Sequence, residues 1–451
     1  MATWHATVTA LVKTIVGAGV LALPFAFAQT GYLAAVALLS LAAGAQLFAL
    51  QLLAQLSLAA ADTPSYRAFA LEAFGSAAAA AAAEAINGIH CFALATACLI
   101  VLGDLCPALA RSRGAHARRA SIALLGVGLE LPLLCRRSLR GLRHTSAIGN
   151  AAVALLAALT ALFAAGVLHP AAPPSVRVGL LPPQGGASPL ASHAGVLGVF
   201  VFSFECAMNV PTLVVEMDQP SARRVESAVS AGVGLSLVAY LLIGGCGAAA
   251  FGAAVSPNLL LSFPSGEADK LADACAVAAR LAMLLSVAFT YPLMMHPARN
   301  SAALVLFSQP AASLSSEQRG LLTLGLFACS VMVAMLVESL DLALGLVGGS
   351  TGILIGFVFP ALFFFQIKGR QMDSQDMADD GATDSKRFDL DLERSTAYLY
   401  LIDRGRTRRM RMGACAMAVG GLLLIPVLVG AQVLQIISAT HESHKHKTNA
   451  D

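Results

Sequence analysis

Apolar runs long enough to cross a bilayer recur about eleven times along the 451-residue chain, and few folds accommodate that pattern. A span takes roughly 20 apolar residues. The runs lie at about 7–29, 31–58, 77–104, 119–135, 145–168, 193–215, 226–252, 271–297, 318–338, 341–367 and 410–438. Charged residues are 12% of the chain and hydrophobic residues 57%, whereas soluble domains are about 25% charged. So much apolar surface cannot be hidden in one aqueous core. The expected fold is an all-α multi-pass membrane protein of about eleven transmembrane helices, with the lipid bilayer as its solvent.

The first run contains its own breaks. Thr14-Ile15-Val16-Gly17-Ala18-Gly19-Val20-Leu21-Ala22-Leu23-Pro24 is too apolar for water, yet carries two glycines and a proline. Each glycine costs a helix about 1 kcal/mol relative to alanine, and proline removes a backbone donor. In hydrocarbon a freed peptide group must be satisfied by the protein or by something it binds. A second run behaves alike. Span 6 reads Phe202-Ser203-Phe204-Glu205-Cys206-Ala207-Met208-Asn209-Val210-Pro211, with polar groups in mid-run and then a proline. Interrupted helices at corresponding positions of two halves mark the binding sites of secondary transporters. Spans 1–5 and 6–10 are therefore expected to form a 5+5 inverted repeat with an additional helix 11. The domain reading is a core at 1–367, with repeats 1–168 and 193–367, a charged loop at 368–409, an eleventh helix at 410–438 and a polar tail at 439–451.

Loop charges set the expected orientation. With the N-terminus cytoplasmic, the inner loops hold Arg67, then Arg136, Arg137, Arg140 and Arg143, then Arg223 and Arg224, then Arg299 and Arg319. The 368–409 loop opens with acids, among them Asp373, Asp376, Asp379, Asp380 and Asp384, and its basic end runs from Arg404 to Arg411. Eleven spans then place the C-terminus outside or in a lumen. The Pro- and Gly-rich segment 169–192 is an external loop. Nine cysteines include no CxxC pair, so neither a disulfide framework nor a zinc site is expected. A net charge of +3 gives no sign of nucleic acid. No nucleophile–base–orienter set or metal spacing is present, so no enzyme, catalytic residue, metal or cofactor is expected. A channel filter is also not visible.

In order and spacing, a set of short motifs resembles the amino acid/auxin permease family, which includes sodium-coupled neutral and vacuolar amino acid transporters. The carriers are Ile15 to Pro24, Ser65-Tyr66 with Ala73-Phe74-Gly75, Gly103-Asp104 and Thr145-Ser146-Ala147-Ile148-Gly149. Asn209-Val210-Pro211 with Glu216, Phe251-Gly252, Ala279-Arg280-Leu281-Ala282, Tyr291-Pro292 and Pro297-Ala298-Arg299 follow. The resemblance implies an eleven-helix amino acid transporter coupled to sodium or protons, in a plasma, vacuolar or endolysosomal membrane. The chain departs from the sodium-coupled members at Lys13, where they carry Asn, and at Cys206-Ala207, where they often read Cys-His. Their external disulfide has no counterpart, since 169–192 holds no Cys.

An amino acid zwitterion needs partners of both signs. The second half of a broken helix offers free N–H groups and a partial positive charge, and the first half offers free carbonyls. The expected substrate site is Thr14, Val16, Gly17, Ala18, Gly19 and Val20, facing Phe202, Ser203, Phe204 and Glu205. Phe202 and Phe204 wall the side-chain pocket in this reading. Intramembrane charges are functional candidates by default: Lys13, Glu84, Glu130, Glu205, Arg280 and Glu338. Glu205, beside the break, is read as a proton or ammonium site. Arg280 is read as structural, Glu84 and Glu338 as reaching water, and Glu130 as pairing with Arg136 or Arg137. Asp104 is read as a helix-end or gate residue and His90 as a packing histidine. Sodium-coupled transporters of this architecture hold a cation between the first break and span 8. The local candidates for that site are Lys13, Glu205, Ser286 and Thr290, with the lysine ammonium as a built-in cation. The expected function is secondary active transport of neutral or other L-amino acids by alternating access, sodium-independent and proton-coupled. The alternative is an amino-acid sensor on the same fold. Sensors of that kind carry a long N-terminal arm, and about six residues precede span 1 here.

Overall fold

A computed structural model describes residues 2–60, 63–111, 114–135, 145–169, 176–181, 189–264, 269–337, 339–381 and 390–448. In chain order the helices are α1 (Trp4–Ile15), α2 (Leu23–Thr30), α3 (Tyr32–Ala59), α4 (Tyr66–Phe74), α5 (Ala77–Leu109), α6 (Ala115–Leu125), α7 (Leu131–Cys135), α8 (Thr145–Ala164) and α9 (Pro189–Ser203). Then come α10 (Val210–Glu216), α11 (Ala222–Phe251), α12 (Leu259–Ser262), α13 (Lys270–Phe307), α14 (Ser316–Leu336), α15 (Leu340–Val347), α16 (Phe359–Gly381) and α17 (Leu390–Thr448). No strand occurs among the described residues. Polar caps start several helices where the chain re-enters the apolar layer: the Ser65 and Ser221 hydroxyls accept from the N–H groups of Ala68 (3.1 Å) and Arg224 (3.4 Å).

Among the described residues, nine helices, plus the pair Trp4–Ile15 and Ala18–Thr30 bent by 48°, are long and apolar enough to cross a membrane. The chain is thus a multi-pass membrane protein. The run expected at 119–135 does not meet that standard. Arg119 and Glu130 fall within it and Arg118 borders it, and its helix widens to a π turn at Gly126–Glu130 between α6 and α7.

Both expected breaks are present, and they are built alike. α1 stops at Ile15, Gly17 turns the chain at φ −94°, ψ −147°, and a 3-10 turn spans Ala18–Ala22. Pro24 then falls in the first turn of α2, where its missing N–H costs nothing. In span 6, α9 stops at Ser203, a 3-10 turn covers Ala207–Asn209, and Pro211 falls in the first turn of α10. The two broken spans touch, through α2 on α9 and the 3-10 turn of span 1 on α9. α11 packs on α1, α3 and α8, and α5 makes its broadest contact with α13. Phe163 at the end of α8, Phe251 at the end of α11 and Phe263 after α12 join in one ring cluster, with centroids 5.0–5.7 Å apart.

Three stretches differ from expectation or lie beyond view. The 368–409 segment is helical over most of its length, because α16 continues to Gly381 and α17 starts at Leu390. Arg and Leu are frequent in 390–411 and are good helix formers. Helix also continues past the expected 410–438 span into the tail. Within 169–192, the carbonyls of Gly179 and Leu180 accept from the N–H groups of Tyr32 (3.2 Å) and Leu33 (3.1 Å), so 176–181 caps the start of α3. Arg136, Arg137, Arg140, Arg143, Glu338 and Asp384 lie outside the described residues, as does the side chain of Thr145.

Candidate functional site

A cavity of about 220 Å³ lies between the two breaks. Span 1 lines it with Lys13, Thr14, Ile15, Gly17, Ala18 and Gly19, and span 6 with Phe202, Glu205, Met208 and Asn209. Leu94, Ala97 and Cys98 of α5, Ser146 of α8, and Thr290, Leu293 and Met294 of α13 complete the wall. Lys13, Thr14, Gly17, Ser146 and Met294 are only half-buried.

The first break presents its backbone to this space. A helix starting at Ala18 has no preceding turn to accept its first N–H groups. A Cβ built on Gly17 meets no atom within 4 Å, so glycine there leaves the cavity open. A Cβ on Gly19 would press on Phe202 Cδ1 at 3.1 Å, so Gly19 lets the ring of span 6 approach. Lys13 does not run out along α1 toward the membrane surface. Its Nζ donates to Ser286 Oγ at 2.8 Å and to Thr290 Oγ1 at 3.4 Å. The Thr290 hydroxyl donates in turn to the Ser286 carbonyl at 2.8 Å. The ammonium thus ties α1 to α13 one turn before the break. Gly149 on α8 makes room for the stem: a Cβ there would strike Lys13 Cδ and Cε and lie 2.6 Å from Nζ.

The second break closes on itself. Glu205 Oε1 accepts from the N–H of Ala207 at 3.1 Å, so the side chain caps its own interruption. Glu205 Oε2 is buried without a partner among the described residues. It faces Gly356 of the π turn Leu354–Val358, where the Gln46 amide oxygen also points. The Tyr240 hydroxyl of α11 reaches the Ile15 carbonyl at 2.6 Å and the Ser203 carbonyl at 2.5 Å, one from each break.

Not every expected site residue reaches the cavity. Val16 and Val20 are buried, at 1% and 0% exposure, against neighbouring helices. Ser203 turns its hydroxyl back to the Val199 carbonyl at 2.8 Å. Phe204 packs edge-on against Tyr240 with centroids 5.1 Å apart, so Phe202 alone of the two walls the pocket. Past Ser203 the chain leaves helical geometry, and a helical period no longer says which side a residue faces. Tyr240, Cys98, Ser146, Asn209 and the methionines were missed. Tyr240 had a signal, a lone phenol inside the apolar run of α11.

The remaining intramembrane charges also have places. Arg280 is buried and donates to the carbonyls of Leu260 (3.1 Å) and Phe263 (2.8 Å), which ties α12 to α13. Glu84, expected to reach water, is buried instead and accepts from Ser301 Oγ at 2.6 Å, since α5 and α13 pack face to face there. Glu130 has no partner among the described residues. Asp104 is bridged by Arg118 at 2.8 Å and contacted by the Asn258 amide at 3.3 Å. His90 Nδ1 lies 3.0 Å from Thr351 Oγ1. No group of three or more His, Cys, Asp or Glu able to hold a metal occurs among the described residues.

A polytopic helical fold with a cavity between two broken spans defines the transporter class. The chain belongs to the family described as transmembrane amino acid transporter protein, which it matches over residues 1–378. It is 30% identical over 374 residues to vacuolar amino acid transporter 5 of Schizosaccharomyces pombe, covering 80% of this chain and 84% of that one. Vacuolar amino acid transporter 6 of Saccharomyces cerevisiae is 25% identical over 425 residues, covering 81% and 90%. Human sodium-coupled neutral amino acid transporter 7 is 28% identical over a shorter stretch of 178 residues, 38% of this chain and 37% of that one. In fold, the chain is similar to the crystal structure of a point mutant of the Eremococcus coleocola manganese transporter. The TM-score is 0.52 at 13% identity, covering 94% of each chain.

Proposed function

We propose that this protein carries an amino acid across a membrane by alternating access, without sodium, with Lys13 as its resident cation. The observation that carries this reading is the Lys13 ammonium bonded to Ser286 and Thr290 across the face of the first break. A tethered ammonium is a compact charge with three donors, and it occupies the hydroxyls that a bound sodium ion would need. The substrate carboxylate lies over the N–H groups of Ala18 and Gly19. Its ammonium faces Glu205, Asn209 and the exposed carbonyls of the breaks, and its side chain extends toward Phe202 and Met294. The two similar breaks, five spans apart, support two inverted repeats of five helices. The names of the yeast relatives support a vacuolar membrane, and the loop charges support a cytoplasmic N-terminus. Glu205 takes up the coupling proton at Oε2.

Uptake of a labelled amino acid mixture into proteoliposomes tests this, with sodium and pH gradients imposed separately. The expected result is uptake unchanged when choline replaces sodium, and accelerated when the side of entry is made acidic. Sodium-stimulated uptake overturns the resident-cation reading. An absence of amino acid uptake or exchange under every gradient overturns transport itself.

A further inference from the structure

The π turn Gly126–Glu130 carries a group that the cavity chemistry leaves unused. Glu130 is 0% exposed, and neither carboxylate oxygen has a hydrogen-bond partner among the described residues. Among the described residues nothing offsets the lost hydration of an ion there, a cost of several kcal/mol; Arg136 and Arg137, the expected partners, lie outside them. Against the described surroundings, the neutral carboxylic acid fits this conformation better than the ion. The turn itself aims the side chain inward, and π turns inside helices recur at functional positions. Gly126 opens it: a Cβ there would lie 3.2 Å from Phe327 Cζ, so α14 closes over the turn. α13 packs on another side, and α6 and α7 continue the helix at either end of the turn.

Among the described residues the ionisable groups around Glu130 are few, and Arg118 and Arg299 are bonded elsewhere. On α13, Tyr291 lies within electrostatic reach, and its hydroxyl is paired with Ser330 Oγ of α14 at 2.8 Å. Arg299, also on α13, donates instead to the Leu134 carbonyl (3.2 Å) and Thr323 (3.0 Å), and lies 2.9 Å from His296. Arg118 of α6 is held by Asp104. On α5, Cys98 lies within electrostatic reach of both Glu130 and Lys13, and it lines the cavity. Cys98 of α5 thus lies within reach of both the buried acid and the cavity ammonium.

We propose that Glu130 is a proton-binding site of the transport cycle, separate from the substrate cavity. It holds a proton in this conformation and gives it up when α5 and α13 part enough to admit water, or the field of Lys13, past Cys98. The chemistry is one O–H bond made from water on one side of the membrane and broken to water on the other. This goes beyond the reading of Glu205 and stands whether or not Glu205 titrates.

Infrared difference spectra of the purified full chain in lipid nanodiscs, taken across a pH series, test it. The expected result is a carboxylic-acid C=O band that fades as pH rises, is absent in Glu130→Gln and is present in Glu205→Gln. In proteoliposomes, Glu130→Gln is expected to exchange a labelled amino acid mixture but to lose acceleration by an imposed pH gradient. A Glu130 band constant across pH overturns the proposal, as does a Glu130→Gln protein with full pH-gradient-driven uptake. If Glu130→Gln does not fold, the wild-type chain is treated with a hydrophobic carbodiimide, which adds to protonated carboxyls, and the adduct is mapped by mass spectrometry. Labelling at Glu130 that declines as pH rises supports the site, and labelling indifferent to pH, or absent, overturns it.

Discussion

The two breaks share a plan and differ in what they leave undone. Each runs from helix to 3-10 turn to a proline in the first turn of the next helix. Tyr240 serves a carbonyl of each, but the second also caps itself, since Glu205 accepts from Ala207. The first is made by glycine, which brings no side chain to satisfy anything, and a Cβ at Gly17 would enter open space. Its cation comes from one turn earlier, at Lys13, rather than from within the break. In the proposed site the difference separates two jobs: the span 1 break offers bare backbone to the ligand, and the span 6 break holds its own shape and keeps one carboxylate oxygen without a partner among the described residues.

The largest effect is expected where that asymmetry is erased. Gly17→Leu fills the cavity without striking any neighbour at Cβ. It should abolish amino acid binding, measured by equilibrium exchange, while thermal stability stays close to wild type. Gly19→Leu should lose binding and stability together, because its Cβ meets Phe202 at 3.1 Å. Exchange retained in Gly17→Leu would mean that span 1 does not present the site.

Lys13→Ala comes next. It removes a donor shared by Ser286 and Thr290, and hydrogen bonds to a charged group contribute about 1.5–3 kcal/mol. Uptake should fall by about tenfold or more, and sodium should gain the ability to stimulate what remains. Full activity in Lys13→Ala would reduce the contact to packing.

At the second break, Glu205→Gln keeps the acceptor for Ala207, since an amide retains one carbonyl oxygen. Exchange should survive. Wild-type uptake should rise as the entry side is acidified, because in the proposed cycle the acid form is the one that carries the proton across. The variant should show a flat pH profile over the same range. An unchanged profile would move the coupling proton elsewhere.

Much of this could be read from the sequence, for physical reasons. The spans announced themselves because hydrocarbon demands long apolar runs, and the breaks because Gly17, Gly19, Pro24 and Pro211 are costly there. Lys13 was found because a charge in such a run stands out, and because four residues separate it from Gly17 on one helical face. The facing of Val16, Val20 and Phe204 was lost because each lies in or beside a turn where the 3.6-residue period stops applying. Glu84 was misjudged because depth along a span does not report what a neighbouring helix covers. Tyr240 was missed because its role depends on two carbonyls, at Ile15 and Ser203, far away in sequence.

That tyrosine couples the two breaks, so removing its hydroxyl tests whether they act as a unit. Tyr240→Phe leaves a buried carbonyl bare, which costs about 1–3 kcal/mol. The expected outcome is a lower melting temperature in detergent, with a smaller loss of uptake than in Lys13→Ala. A melting temperature equal to wild type would mean that the breaks are held together by other contacts.

The smallest effect is the most specific. Gly149 lies on α8 and lines no part of the cavity, yet a Cβ there would collide with the Lys13 stem. The atoms struck are the far end of a flexible side chain, so the helices need not move and the lysine must. Gly149→Ala should therefore leave stability unchanged and shift the ammonium off Ser286, weakening rather than removing a charge-assisted bond. Uptake should fall by about three- to tenfold, less than in Lys13→Ala. The double variant Gly149→Ala with Lys13→Ala should be no worse than Lys13→Ala alone, since nothing is left to displace. Additive losses would show that Gly149 matters for packing of α8 itself, and the first break would then owe less to where its cation sits than to the helices around it.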